Sequence, residues 1–175
     1  MTRLRYWLLA SLAVAGCAPR RPAAPTAAPA PPASARVATS VTWESCDDGF
    51  AATGEPARDL ERLARACGGA LGLRPLAPAR RHDQAASDPV DRYAFVSPGA
   101  GHCHRVFAVA SREVEELDLI VRDPSGAVVA RGKPRGAWVA APTSSSLCLD
   151  VGGTYTVEVS VQKGQGSYAV QAWGN

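Results

Sequence analysis

The chain has 175 residues, 46% apolar and 20% charged, with 14 Pro and 16 Gly but only 3 Phe and 1 Met. That length suits one compact domain and is cramped for two. The formal charge of +3 comes from Arg3, Arg5, Arg20, Arg21 and Arg36; without these five, 14 basic residues face 16 acidic ones, a formal −2 that speaks against nucleic acid as a partner.

Residues 1–16 read as an export signal. Arg3 and Arg5 supply the positive start, and 6–15 is almost wholly apolar. The run is too short for a membrane-spanning helix, which needs about 20 residues. It ends in Val14-Ala15-Gly16-Cys17. This resembles the lipobox of bacterial lipoproteins, in which the Cys becomes the first mature residue and carries the lipid. The resemblance implies lipidation of Cys17, with palmitate-type acyl chains. Several chains anchor firmly, whereas one holds only marginally. Ala18, not Asp, follows the Cys, and by resemblance to the family's sorting pattern this implies the outer membrane of a Gram-negative cell, on its periplasmic or its outer side.

Residues 17–40 read as the lipidated Cys and an Ala/Pro-rich tether, with Pro19, Pro22, Pro25, Pro29, Pro31 and Pro32. Proline removes backbone donors and forbids helix, and alanine alone builds no core. An extended spacer at about 3 Å per residue reaches about 60 Å from the bilayer.

The folded part is expected over 41–175. Its four cysteines, Cys46, Cys67, Cys103 and Cys148, read as two disulfides in an exported domain. Three pairings are open; the preferred one joins Cys46 to Cys67 and Cys103 to Cys148. One short helix is expected over 56–67, with Pro56 in its first turn. Leu60, Leu63, Ala64 and Cys67 form its apolar face, Glu61 and Arg65 a pair four apart, and Gly68-Gly69 its stop. Residues 71–89 read as irregular.

Strands are expected at 92–96, 103–110, 117–122 and 127–130, the last two joined by the turn Asp123-Pro124-Ser125-Gly126. Arg135-Gly136-Ala137-Trp138 and Ser144-Ser145-Ser146 read as loops. The cleanest pattern is Tyr155, Val157, Val159 and Val161 alternating with Thr154, Thr156, Glu158 and Ser160. Lys163-Gly164-Gln165-Gly166 is then expected to reverse the chain, so that 167–173 returns with Tyr168, Val170 and Ala172 inward and Trp173 outward. Short antiparallel strands with frequent turns predict a mainly β, jelly-roll-like sandwich of seven or eight strands, with the helix at one end or edge.

The segment 101–173 resembles the pre-peptidase C-terminal-like domain, a small β-sandwich found beside secreted bacterial proteases, and also uncharacterised proteobacterial lipoproteins. The resemblance is carried by Leu117-Asp118-Leu119 leading into Asp123-Pro124-Ser125-Gly126, then by Gly153-Thr154-Tyr155-Thr156-Val157-Glu158-Val159, then by Gly166-Ser167-Tyr168-Ala169-Val170. It implies a fold and a loose link to secretion or surface binding, and no catalytic residue.

His102-Cys103-His104 has the chemistry of a zinc site but the wrong geometry, since a strand points the two His one way and the Cys the other. No metal, cofactor or catalytic set is expected. Asp118 and Asp123 flank a strand but lack a calcium loop's rhythm, and Asp123 reads as the cap of its turn. Glu113, Glu115 and Glu116 read as a solvated turn ahead of a strand. The candidate binding surface is Trp138, Trp173, His102 and His104. The expected function is a non-catalytic binding or accessory module of the cell envelope, with the membrane and an envelope protein or glycan as partners. The alternatives are a structural subunit docked on another outer-membrane protein, which calls for Trp138 and Trp173 on one exposed patch, and an envelope-polymer hydrolase, which calls for a cleft joining His102 or His104 to an acid.

Overall fold

The computed structural model describes residues 36–38 (backbone only), 46, 47 and 49–175. The export signal, Cys17 and the tether up to residue 35 lie outside the described residues, so the expectations for them stand as sequence readings. Three residues of the expected tether belong to the sheet instead, because β1 (Arg36–Ala38) pairs antiparallel with β9 (Ser146–Leu149).

One strand organises the domain. β10 (Gly153–Gly174) runs through both sheets of an antiparallel sandwich. Its first half lies between β4 (Asp91–Ser97) and β6 (Val114–Arg122), and β7 (Val128–Arg131) extends that sheet beyond β6. Its second half lies between β5 (His102–Ala110) on one side and β2 (Arg74–Pro75) and β3 (Arg80–Ala85) on the other. β8 (Trp138–Ala141) and β9 continue that sheet beyond β5.

The expected reversal at 163–166 does not occur. A hairpin needs the two halves to pair with each other, and here each half finds other partners. The glycines supply a bend. Register shifts at Val161, Lys163 and Gly164 mark a bulge. A Cβ on Gly164 (φ 87°) would lie 2.2 Å from the Glu113 carbonyl oxygen, and one on Gly166 would lie 2.4 Å from Ser111 Oγ. Bare backbone therefore lets β10 pass against the 111–113 turn, which it grips through Gln165 N–H to Glu113 O at 3.2 Å and Ser111 N–H to Ser167 O at 2.8 Å. The bulge also switches parity. Odd residues Tyr155, Val157, Val159 and Val161 point inward before it, and even residues Tyr168 and Val170 after it.

Two cores result. The first fills the space between the sheets and includes Phe95, Val106, Leu117, Leu119, Val121 and the inward residues of β10. The second lies on the outer face of the β5–β10 sheet, beneath α1 (Pro56–Ala70), where Leu60, Leu63, Ala64 and Cys67 meet Phe107, Val109, Trp138, Ala140, Ala169 and Trp173. Each buried Leu there contributes roughly 2 kcal/mol. The helix thus covers a face, not an end or edge. This explains why β5 and β8 are apolar on both sides, a pattern that hides the alternation of a half-exposed strand. Ten strands are described, more than expected. Residues 74–85 supply β2 and β3, where exposed Arg80, Arg81 and His82 give β3 the charged surface typical of an edge strand. Residues 138–149 supply β8 and β9, and Glu115 and Glu116 lie on β6 itself.

The helix outlasts its expected stop. Gly68 and Gly69 are helical, and the chain leaves at Gly72 (φ 71°), with Leu73 N–H donating to Gly68 O at 2.9 Å and Gly72 N–H to Gly69 O at 3.0 Å. Gly68 serves packing, since a Cβ there would lie 2.7 Å from Trp173 Cε3. At the other end Glu55 makes no side-chain cap. Buried Asp59 reaches back instead, accepting from Thr53 N–H at 2.7 Å, Thr53 Oγ1 at 2.9 Å, Gly54 N–H at 3.0 Å and Arg62 Nη2 at 2.8 Å. Burial would raise this carboxyl, but those donors, Arg62 foremost, hold it below the ordinary value. Glu61 and Arg65 pair at 2.6 Å as their spacing predicts.

Both preferred disulfides are present. Cys46–Cys67 ties the segment ahead of the helix to its buried face, across 21 residues. Cys103–Cys148 joins directly opposed residues of β5 and β9, across 45. Each adds about 2–4 kcal/mol by restricting the unfolded chain.

The bend makes a prediction. Gly164→Ala meets both strain and a backbone clash, whereas Gly126→Ala, also at positive φ but with open space around its Cβ, meets strain alone. Thermal and urea unfolding should show Gly126→Ala losing about 1–2 kcal/mol and Gly164→Ala clearly more.

Candidate binding cleft

The bend in β10 also shapes a cleft. Near the bend, Ala85 of β3 faces Gln165 and Asp91 of β4 faces Val159, so the two edge strands start close together. Farther along, Arg80 faces Val170 and Phe95 faces Tyr155, each on a different sheet. The strands diverge as a V, and between its arms lies a cleft of about 440 Å³. Its floor is apolar and reaches the inter-sheet core at Phe95, Val106, Val157 and Val170. Its rim carries Arg80, Arg92, Tyr93 and Ala77. An apolar cavity of this size with a few convergent polar groups is the usual form of a small-molecule site.

Polar side chains lock the apex of the V. Buried Gln84 donates from Nε2 to Pro89 O at 2.7 Å and accepts from Val161 N–H at 2.7 Å. Tyr168 donates its hydroxyl to Asp91 Oδ2 at 2.5 Å, and the Tyr93 and Tyr168 hydroxyls are 2.7 Å apart. His82 Nδ1 is 2.5 Å from the same Asp91 oxygen. Burial and then the hydrogen bond to Asp91 push the Tyr168 phenol far above its ordinary value, and burial also raises that of Tyr93, so both stay neutral. The chain joins β3, β4 and β10 across the two sheets.

The rim is electrostatically lopsided. Glu158 holds Arg92 Nε at 3.1 Å and Arg122 Nε at 2.8 Å, one carboxylate between two guanidinium groups. Burial would raise its pKa, but the hydrogen bonds from Arg122 and then Arg92 lower it. Arg80 has no ion-pair partner among the described residues, and Asp91 is engaged by Tyr168 and His82. Arg92 stands opposite outward Glu158, on the solvent face of its sheet, so Arg80, opposite inward Val170, is the guanidinium set above the apolar floor.

The expected surface is not assembled. Trp138 and Trp173 are buried under α1, Trp138 in edge contact with Phe50 and Trp173 with Phe107. Their indoles cover the back of the sheet because α1 covers them in turn. His104 is buried beside Phe95, with Nε2 2.8 Å from Ser97 Oγ. Only His102 is partly exposed, with Nδ1 2.5 Å from the Asn175 carbonyl oxygen. Cys103 is spent in its disulfide, and no group of three or more His, Cys, Asp or Glu suited to a metal occurs among the described residues. Asp123 Oδ1 caps its own turn, accepting from Ser125 N–H and Ala127 N–H at 2.9 Å each, while Asp118 pairs with Arg131 at 2.9 Å. Sequence reasoning missed His82, Asp91, Tyr93 and Tyr168 as a group. His82 and Tyr168 become opposite partners only through the β3–β10 register, which no local spacing reveals.

The chain matches no protein-family model and no curated protein. Among solved structures it is similar to the pre-peptidase C-terminal domain of a collagenase from Bacillus anthracis, at 17% identity and a TM-score of 0.44, over 55% of this chain and 89% of that one.

Two measurements follow from the geometry. Burial, and then the neighbouring His102, push His104 down to about 4. Its unfolded value is about 6.5, so between the two the unfolded chain binds the extra proton. The His104 contribution is therefore complete above pH 6.5 and is lost as pH falls toward 4, on the order of 3 kcal/mol in all. Denaturant unfolding from pH 7.5 to 4 should show this slope, and His104→Gln should flatten it. Separately, Tyr168→Phe removes the donor to Asp91 and should lower unfolding free energy by about 1–3 kcal/mol with the far-ultraviolet spectrum unchanged.

Proposed function

We propose that the protein is a non-catalytic binding or accessory module of the cell envelope, held at the outer membrane through an acylated Cys17 and set off from it by the Ala/Pro-rich tether. The observation that carries the binding reading is the cleft between β3 and β4. Its walls are aliphatic and aromatic side chains and its rim is guanidinium and phenol, groups suited to holding a ligand. The Asp91–His82 pair would suggest acid–base chemistry, but Tyr168 already occupies the same carboxylate oxygen, so the pair serves as a cross-sheet brace. A docked structural subunit called for Trp138 and Trp173 on one exposed patch, and both are buried. An envelope hydrolase called for His102 or His104 in a cleft with an acid, and neither lines this one.

Anchoring and binding are tested separately. Expressed in a Gram-negative host fed an alkyne analogue of palmitate, the chain should take up label and sediment with outer membranes, and Cys17→Ser should do neither. An unlabelled wild-type chain removes the anchor from the proposal. For binding, native mass spectrometry after incubation with an envelope extract should show a small-molecule adduct that Ala77→Trp, at the cleft mouth, abolishes. The absence of any adduct on the wild type counts against the binding module.

A further inference from the structure

The make-up of the cleft narrows its occupant, an inference that rests on the binding reading above. We propose that it takes a small amphiphile of the fatty-acid type, with the carboxylate held at Arg80 and the alkyl chain laid between the sheets against Phe95, Val106, Val157 and Val170.

Three observations support this. The first is charge complementarity. Arg80 stands opposite inward Val170, on the cleft face, and has no ion-pair partner among the described residues, while Arg92 is paired with Glu158 on the outward face of its sheet. A carboxylate arriving at this rim meets the Arg80 guanidinium, whose fork geometry suits it. The apolar floor beneath lowers the local dielectric and strengthens that attraction. The second is depth. Val106, Val157 and Val170 belong to the inter-sheet core, so an occupant of the cleft extends the core and its methylenes gain from leaving water. The third is size. A volume of about 440 Å³ suits one short chain and leaves no space for a folded partner.

The test uses the full chain in lipid nanodiscs, with empty nanodiscs subtracted, and isothermal titration of octanoate, octanol and octyltrimethylammonium below their micellar concentrations. Octanoate should saturate a single site. Octyltrimethylammonium should not bind there, and octanol should bind roughly tenfold more weakly than octanoate. Arg80→Gln should weaken octanoate by about tenfold or more while leaving the thermal midpoint within a few degrees, and added salt should weaken the wild type. Ala77→Trp should abolish the signal. Equal binding of the cation, unchanged octanoate affinity in the arginine variant, or no saturable octanoate binding overturns the proposal, as does tighter binding of a short apolar peptide with a free C-terminal carboxylate. If octanoate fails while a cleft-dependent adduct persists in native mass spectrometry, the ligand class falls and the binding module stands.

Discussion

The domain depends on β10 passing from one sheet to the other without breaking. A strand of 22 residues serves both layers only if it bends sharply at one place, and the bend is possible because Gly164 and Gly166 carry no side chain where the 111–113 turn crosses them. Five other strands pair with β10, so their positions all follow from this one corner. The bulge there also restores inward packing, since without the parity switch the second half of β10 would aim Tyr168 and Val170 away from the first core. On one side the β5–β6 turn closes the corner. On the other side β3 and β4 leave it and separate, and the cleft is the space between them.

The helix is the second consequence. With one layer on each face, the β5–β10 sheet is buried on both sides, and its outward residues become the floor of a second core. Trp173 and Gly68 are matched in this core, a large ring against a helix turn lacking a Cβ. Cys46–Cys67 then ties the preceding segment onto the same face. Arg105, on the outward face of β5, is buried and donates to Thr143 O and Ser145 O at 2.9 Å each, holding the link between β8 and β9.

The candidate site has two parts with different work. Gln84, Asp91, Tyr93 and Tyr168 fix the angle between the sheets at the apex, which is what keeps the arms apart. Arg80, opposite inward Val170 on an edge strand, then brings a guanidinium to the mouth. Arg80 does not stand out in sequence, since it falls in a stretch that reads as irregular. Its place at the mouth is a property of how two edges leave a shared bend.

Local chemistry alone was enough for several features. The period-two run 154–161 marks a half-buried strand because outward Thr, Glu and Ser alternate with inward apolar residues. Asp123 caps its turn because an Asp side chain reaches the N–H groups two and four residues on. Cys46, Cys67, Cys103 and Cys148 pair, and the preferred pairing is the one formed. Tertiary structure decided the rest, for a common reason. Glycine permits a reversal, a bend or a close approach equally well, so 163–166 and Gly68 acquire meaning only from what passes beside them. An apolar residue on the outer face of a sheet reads as exposed until another layer covers it, and whether Trp138 and Trp173 face solvent depended on where α1 came to rest.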